Sequence, residues 1–173
     1  MSEIGSTPRT KQGRFLSRLD QHRKILFKVA NSYARTPSDR EDLVQEITVQ
    51  LWRAFDRYDE RYPFSTWVYR VALNVAISFY RREARRRRHF VAAEQALLER
   101  IEEGAESSES DADLRLLDRL LARLGELDRA LLLLYLDGNL HREMAEILGI
   151  SETNVATKIG RLKQRLRDMA QSA

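Results

Sequence analysis

The sequence predicts an all-α protein of two small helical domains joined by a flexible acidic linker. Three observations carry that expectation. Apolar residues recur at the three-and-four spacing of helices along most of the chain, the internal prolines and most glycines stand at breaks in that pattern, and a stretch rich in Glu and Ser separates two apolar-patterned halves. With 173 residues and 43% hydrophobic content, there is enough apolar material for one domain or two small ones. Lys and Arg total 30 against 26 Asp and Glu, a formal charge of only +4, so the placement of charge matters more than its sum. There are no cysteines, which excludes disulfide frameworks, thiolate zinc sites and cysteine nucleophiles. The longest apolar run, residues 130–136, is too short to cross a bilayer, and the polar residues 1–14 carry no apolar signal core, so no membrane insertion is expected.

Residues 1–13 lack periodicity and read as a mobile tail. A helical pattern follows from Phe15 to Ala34, with an irregularity expected around residues 20–22, and Thr36-Pro37-Ser38 breaks it. The Ser38-x-x-Glu41 spacing is that of a capping box and predicts a helix to about Phe55, with Leu43, Val44, Ile47, Leu51 and Phe55 along its apolar stripe. The opposite face carries Asp42, Gln45, Glu46, Gln50 and Arg53. Acidic residues in the first turns complement the helix dipole, which is the simpler reading, and a partner-binding polar face is the other. Residues 56–65 then form a polar loop with Tyr58 and Tyr62, ended by Pro63.

Residues 64–88 read as one helix with two unlike faces, Ser65 being its expected N-cap. Val68, Ala72, Val75 and Phe79 share one arc, as a core stripe does. Trp67, Arg70, Asn74, Ser78, Arg81, Arg85 and Arg88 share another: an aromatic ring, then hydrogen-bonding groups, then a ladder of guanidinium groups. A basic helix end is ordinarily a solvated one that complements the dipole, but six arginines within residues 81–88 exceed what capping requires. Such a ladder suits phosphates, with Asn and Ser able to meet phosphates or base edges and Trp able to stack on an unpaired base. An anionic membrane would also attract it, but the long apolar face favours a packed helix.

From residue 94 to 113 there are eight acidic residues against one arginine, and residues 104–112 read as linker. The domain boundary is expected across residues 89–112, with a short helix allowed over 92–103. Leu114, Leu117, Leu120, Leu121 and Leu124 predict a helix, and residues 127–136 a second that ends at Asp137-Gly138. Residues 140–148 predict a short helix stopped by Gly149, and Ser151 caps a last one to about Met169. Short helix, Gly-containing turn and longer helix is the helix-turn-helix pattern, which serves DNA binding and ordinary packing alike. On the last helix Val155, Ile159, Leu162 and Leu166 form the inner stripe, while Thr153, Asn154, Thr157, Lys158, Arg161, Gln164 and Arg165 point the other way. The histidines at 22, 89 and 141 lack metal-ligand spacing, and no phosphate loop or nucleophile motif is present, so neither a cofactor nor an enzymatic activity is expected.

Three runs in this order resemble the extracytoplasmic-function group of bacterial sigma factors in the sigma-70 family. They are residues 41–55 (Glu-Asp-Leu-Val-Gln-Glu-Ile-Thr-Val-Gln-Leu-Trp-Arg-Ala-Phe), residues 64–74 (Phe-Ser-Thr-Trp-Val-Tyr-Arg-Val-Ala-Leu-Asn) and residues 144–151 (Met-Ala-Glu-Ile-Leu-Gly-Ile-Ser). The resemblance covers about residues 15–88 and 113–170. It implies a region 2 domain over residues 14–88, a linker over 89–112 and a region 4 helix-turn-helix domain over 113–173. It also implies a cytoplasmic bacterial protein that binds core RNA polymerase through the neighbourhood of Asp42, Gln45, Glu46, Gln50 and Trp52. The −10 promoter element would be opened and held by Tyr58, Tyr62, Phe64, Trp67, Arg70, Asn74, Ser78, Arg81, Arg85 and Arg88. The −35 duplex would be read by Thr153, Asn154, Thr157, Lys158, Arg161 and Arg165. Members are commonly held inactive by an anti-sigma factor, which is a further expected partner. An ordinary helix-turn-helix regulator leaves the acidic face and the aromatic loop without a task, and a sigma-mimicking adaptor that binds an anti-sigma factor leaves the basic and aromatic positions without one.

Overall fold

The computed structural model describes residues 10–94, 121 and 123–171, which contain helices and no strand. Among these residues the helices are α1 Lys11–Tyr33, α2 Pro37–Ala54, α3 Phe64–Glu94, α4 Glu126–Leu136, α5 His141–Leu148 and α6 Glu152–Gln171, and a 3-10 turn, Phe55–Arg57, follows α2. The chain forms two compact units, Met1–Ile77 with Glu146–Gly149, and Ser78–Ala145 with Ile150–Ala173.

In the first unit α1 packs on α2. Helix α1 starts inside the expected tail, because the Thr10 hydroxyl accepts the backbone N–H of Gly13 (3.1 Å) and so satisfies one of the first-turn donors. It runs unbroken through residues 20–22, where an irregularity was expected; Leu19, Ile25, Leu26 and Val29 are buried on either side and keep the core face continuous. The cap of α2 is Thr36, whose hydroxyl accepts from the Asp39 N–H (3.0 Å), and not Ser38. Pro37 explains the shift, since its fixed φ and missing N–H suit the first helical position and move the helix start two residues earlier. Leu43, Ile47 and Leu51 are fully buried, each contributing about 1.5–3 kcal/mol by burial. Val44 is only half-buried.

Helix α3 likewise begins one residue ahead of the expected cap Ser65, with the Trp67 N–H donating to the Pro63 carbonyl (3.3 Å). Its first half buries Val68, Tyr69, Ala72, Leu73 and Ala76, a broader stripe than the expected one, while Val75 is half-buried. The helix continues to Glu94, six residues beyond the expected end at 88, because nothing between 88 and 94 breaks a helix.

In the second unit α4 packs on α6. Ala130, Leu131, Leu132 and Leu134 of α4, Met144 from α5, and Val155, Ile159 and Leu162 of α6 are buried. Gly138 (φ +79°) ends α4 in the left-handed conformation, its N–H bonded to the Tyr135 carbonyl (3.1 Å), and Gly149 (φ +68°) makes the turn between α5 and α6. Ser151 caps α6 as expected, accepting from the Asn154 N–H (3.1 Å). Arg129 is buried, yet its guanidinium donates to the carbonyls of Leu121 (2.6 Å) and Leu124 (3.4 Å) and lies over the Tyr80 ring. A buried cation is tolerable only with such partners. Of the short helix allowed over 92–103, residues 92–94 are the end of α3 and the rest lie outside the described residues, as does the leucine pattern expected over 114–120.

Candidate nucleic-acid and polymerase interfaces

The loop between the 3-10 turn and α3 gathers the aromatic side chains that the sequence treated as separate stacking surfaces. The Trp67 ring centre lies 5.2 Å from those of Tyr58 and Phe64 and 6.3 Å from that of Phe55. Phe64 also meets Tyr58 (5.2 Å) and His22 (5.1 Å) edge to face. Rings brought this close remove one another from water, and the outcome differs by position. Phe64 is buried, Tyr58 and Trp67 are half-buried, and Tyr62 remains exposed. The expectation that Phe64 offers a face to single-stranded DNA is corrected: it is the buried hub of the cluster.

The loop is ordered by its own hydrogen bonds. The Tyr58 hydroxyl donates to the Tyr62 carbonyl (2.6 Å), and the Tyr62 N–H donates to the Asp59 carbonyl (3.1 Å). Asp59 accepts the backbone N–H of Arg61 (3.0 Å) and a forked guanidinium contact (2.6–3.0 Å). The Arg61 side chain, then its backbone N–H, hold the Asp59 carboxyl below the usual carboxylate value, and Asp59 in turn raises Arg61. Helix α1 reaches the same loop through Lys11, Arg18 and His22, residues to which the sequence reading assigned no role. Only a three-dimensional contact marks them, since they lie more than 40 residues away in sequence.

Along α3, Arg70, Asn74, Ser78, Arg81, Arg85 and Arg88 are all exposed, as the spacing predicts. Within the first unit Arg70 donates to the Glu146 carbonyl (2.6 Å). Within the second, Arg81 pairs with Glu126, which raises the arginine further above its ordinary value. Arg85 and Arg88 make long contacts (3.4 Å) to carbonyls of their own helix.

On α2, Asp42 and Gln45 are exposed, while Glu46, Gln50 and Trp52 are half-buried. The Trp52 ring packs against Phe15 (5.2 Å) and lies under the Lys11 ammonium (4.6 Å). Between α1 and α2 runs a groove of about 400 Å³, lined mainly by Leu16, Leu19, Leu26, Phe27, Val44 and Thr48, with the charged Asp20 and Arg23 also on its wall. Leu16 and Phe27 are each about half exposed there.

On α6, Thr153, Asn154, Thr157, Arg161 and Arg165 are exposed and Lys158 is half-buried, opposite the Val155, Ile159 and Leu162 stripe. Arg165 stands apart from the others. It donates to the Asp128 carboxylate of α4 (2.8 Å) and to the Arg123 carbonyl (3.3 Å), so it joins two elements of its own unit. Among the described residues no group of three His, Asp or Glu could hold a metal, and no helix is long and apolar enough to cross a membrane.

Comparison with known proteins places the chain in a family. The sigma-70 region 2 model matches residues 19–86 and the sigma-70 region 4 model residues 114–166. The chain is 31% identical to the RNA polymerase sigma factor CnrH of Cupriavidus metallidurans over 84% of this chain and 81% of that protein. It is 25% identical to the ECF RNA polymerase sigma factor SigW of Bacillus subtilis over 91% of each chain. Its fold is similar to that of the sigma factor RpoE of Bartonella quintana, solved in complex with the anti-sigma factor NepR (TM-score 0.69, 20% identity, 91% of this chain and 97% of that one).

Proposed function

This chain belongs to the sigma-70 family of RNA polymerase sigma factors, in the extracytoplasmic-function group, and on that footing we propose which of its surfaces performs each task. As a sigma factor it binds core RNA polymerase and promoter DNA and directs transcription initiation. Region 2 comprises residues 14–88, region 4 residues 113–173, and the acidic residues between them tether the two. Core polymerase docks on the polar face of α2, where Asp42, Gln45, Glu46, Gln50 and Trp52 adjoin the apolar groove beside α1; an apolar centre with a polar rim is the composition of a protein interface. An anti-sigma factor, like the one that binds the related RpoE, competes for this chain, which acts in the bacterial cytoplasm. The chain supplies promoter specificity and no catalytic residue.

The observation that carries the assignment of the DNA surfaces is the continuity, on α3, of the Tyr58–Trp67 ring pair with the exposed line Arg70, Asn74, Ser78, Arg81, Arg85 and Arg88. Opening a promoter removes bases from the stack at a cost of a few kcal/mol per step, offset by contacts to the released strand. Stacking on an aromatic side chain contributes about 1–3 kcal/mol per base, and Tyr62 and the outward part of Trp67 can supply it while Arg85 and Arg88, which are not engaged by a carboxylate of the second unit as Arg81 is, hold the adjoining phosphates. Phe64 acts by supporting those rings. On α6, Arg161, Thr153, Asn154 and Thr157 meet the −35 major groove, with Lys158 on phosphate.

The test compares duplex with pre-melted templates, using a promoter selected from random-sequence DNA by the wild-type holoenzyme. Trp67→Ala should bind the closed duplex normally and fail to open it, and a pre-melted bubble should restore most of its run-off transcription. Arg161→Ala should lose closed-complex binding that the bubble does not restore. If the bubble rescues Arg161→Ala while Trp67→Ala loses duplex binding outright, the two surfaces are assigned the wrong way round.

A further inference from the structure

We propose that α1 belongs to the strand-opening apparatus, with Arg18 as the positioning residue that holds the 56–67 loop in the shape that presents Tyr62 and Trp67 to an extruded base. The loop and the 3-10 turn before it carry three carboxylates, Asp56, Asp59 and Glu60, on a surface meant to approach a polyanion. Unpaired, they would repel phosphate. Each has a cation instead: Asp59 has Arg61 from within the loop, Asp56 has Lys11 (2.5 Å) and Glu60 has Arg18 (2.9 Å). Two of the three neutralising charges therefore come from α1.

Arg18 does more than neutralise. Its guanidinium lies over the Tyr58 ring (5.5 Å) and the Phe64 ring (5.7 Å), spanning the two rings that back Trp67. One turn further along α1, the His22 ring nitrogen Nδ1 is hydrogen-bonded to the Arg18 carbonyl (2.8 Å), and its ring edge meets Phe64. Phe64 is thus held from α1 by an imidazole and a guanidinium, while Glu60 at the loop tip is held by the same guanidinium. An exposed ion pair adds little to global stability, and a cation over an exposed ring adds modestly, so the contact is suited to fixing a loop's shape rather than to folding the domain. A loop already in its binding conformation loses less freedom when a base arrives.

The proposal rests on the assignment of this loop to the melted strand, and the experiment separates the two. Full-length variants with core polymerase are followed by 2-aminopurine fluorescence at the −10 non-template strand of the selected promoter. Arg18→Gln should slow opening about threefold to tenfold, the order expected for a partly exposed cation–ring contact together with one exposed ion pair, with the melting temperature and −35 duplex affinity unchanged. In a Glu60→Gln background the same substitution should slow opening by a smaller factor, because part of its action passes through Glu60. Arg18→Lys, which keeps the charge and the stem, should open faster than Arg18→Gln. An equal factor in both backgrounds, with a lower salt slope, would mean that Arg18 touches phosphate directly and would overturn the positioning role. Normal opening by Arg18→Gln while Tyr62→Ala and Trp67→Ala are slow would also overturn it. If all three open normally, it is the assignment of the loop that fails.

Discussion

The two surfaces proposed to face DNA in this sigma factor are built on opposite principles. On the −10 side the functional rings hold one another: Tyr58, Phe64 and Trp67 form a closed cluster, with His22 and Arg18 of α1 bracing it and Asp59–Arg61 ordering the loop tip. On the −35 side Thr153, Asn154, Thr157 and Arg161 simply project from α6, whose inner stripe does the packing. The difference follows from the substrates. Duplex DNA arrives with its groove already formed, so a helix with the right donors on one face suffices. A melted strand has no shape of its own, and the protein must supply the surface on which its bases settle.

This contrast predicts that function and stability are entangled on one side and separable on the other. Phe64→Ala removes a buried ring that Tyr58, Trp67 and His22 all touch, so it should cost about 3–5 kcal/mol of stability, the range for large aromatic truncations in a core, as well as promoter opening. Asn154→Ala on α6 should stay within about 0.5 kcal/mol in stability, as exposed substitutions away from packing do. Urea unfolding of both variants checks the pair. Comparable losses would erase the distinction.

A second prediction isolates the one exposed ring. Tyr62 keeps its side chain outward while its carbonyl accepts the Tyr58 hydroxyl, so Tyr62→Ala leaves that backbone acceptor in place. Strand opening should weaken by about 1–3 kcal/mol with no change in urea midpoint. A stability loss like that of Phe64→Ala would show that Tyr62 belongs to the cluster after all.

The α6 face can be sharpened in the same way. Arg161→Ala should lower the salt slope of −35 duplex binding by about one unit if the guanidinium reaches the DNA backbone, or narrow base discrimination by about 1–3 kcal/mol if it reaches a guanine. Arg165→Ala should do neither, because its guanidinium is already engaged by Asp128 and the Arg123 carbonyl; it should lower −35 affinity only modestly, through the packing of α6 on α4, and Asp128→Asn should do the same. A salt slope reduced by Arg165→Ala and untouched by Asp128→Asn would return Arg165 to the DNA contacts.

The same contrast explains what the sequence disclosed. Helical periodicity reports which way a side chain leaves its own helix, and it placed Thr153, Asn154, Arg161, Asn74 and Arg85 on exposed faces. It also placed Gly138, Gly149 and Ser151 at the breaks and caps they occupy. Periodicity says nothing about a loop. There the burial of Phe64 and the bracing by Arg18 depend on α1 lying alongside, a contact between residues more than 40 apart in sequence. Arg165 shows the same limit: its helical angle is that of a DNA contact, and only the neighbouring α4 supplies Asp128. At α2 the difference is local: the Ser-x-x-Glu spacing points to Ser38, whereas Pro37 at the first helical position starts the helix two residues earlier.

The smallest predicted effect tests whether the −10 loop is ordered by charge. Asp59 is held below its ordinary value of 3.8 by the Arg61 side chain first and the Arg61 backbone N–H second. A carboxyl with a depressed folded value binds its proton less readily when folded than when unfolded, so its contribution is fully present above the unfolded value and is lost as pH falls through the folded one. The loop should therefore keep its shape from neutral pH down to about 4, the ordinary carboxylate range, and loosen only below it. The Arg61 Nε–H resonance offers a local readout, because that group donates to both carboxylate oxygens of Asp59 (3.0 and 2.9 Å). In wild type it should shift with a midpoint below 3.8, and in Asp59→Asn, which has no carboxylate to titrate there, it should stay nearly constant over the same range. A wild-type midpoint at or above 3.8 would mean the fork is not closed in solution, and the −10 loop would then be no better ordered than the exposed face of α6.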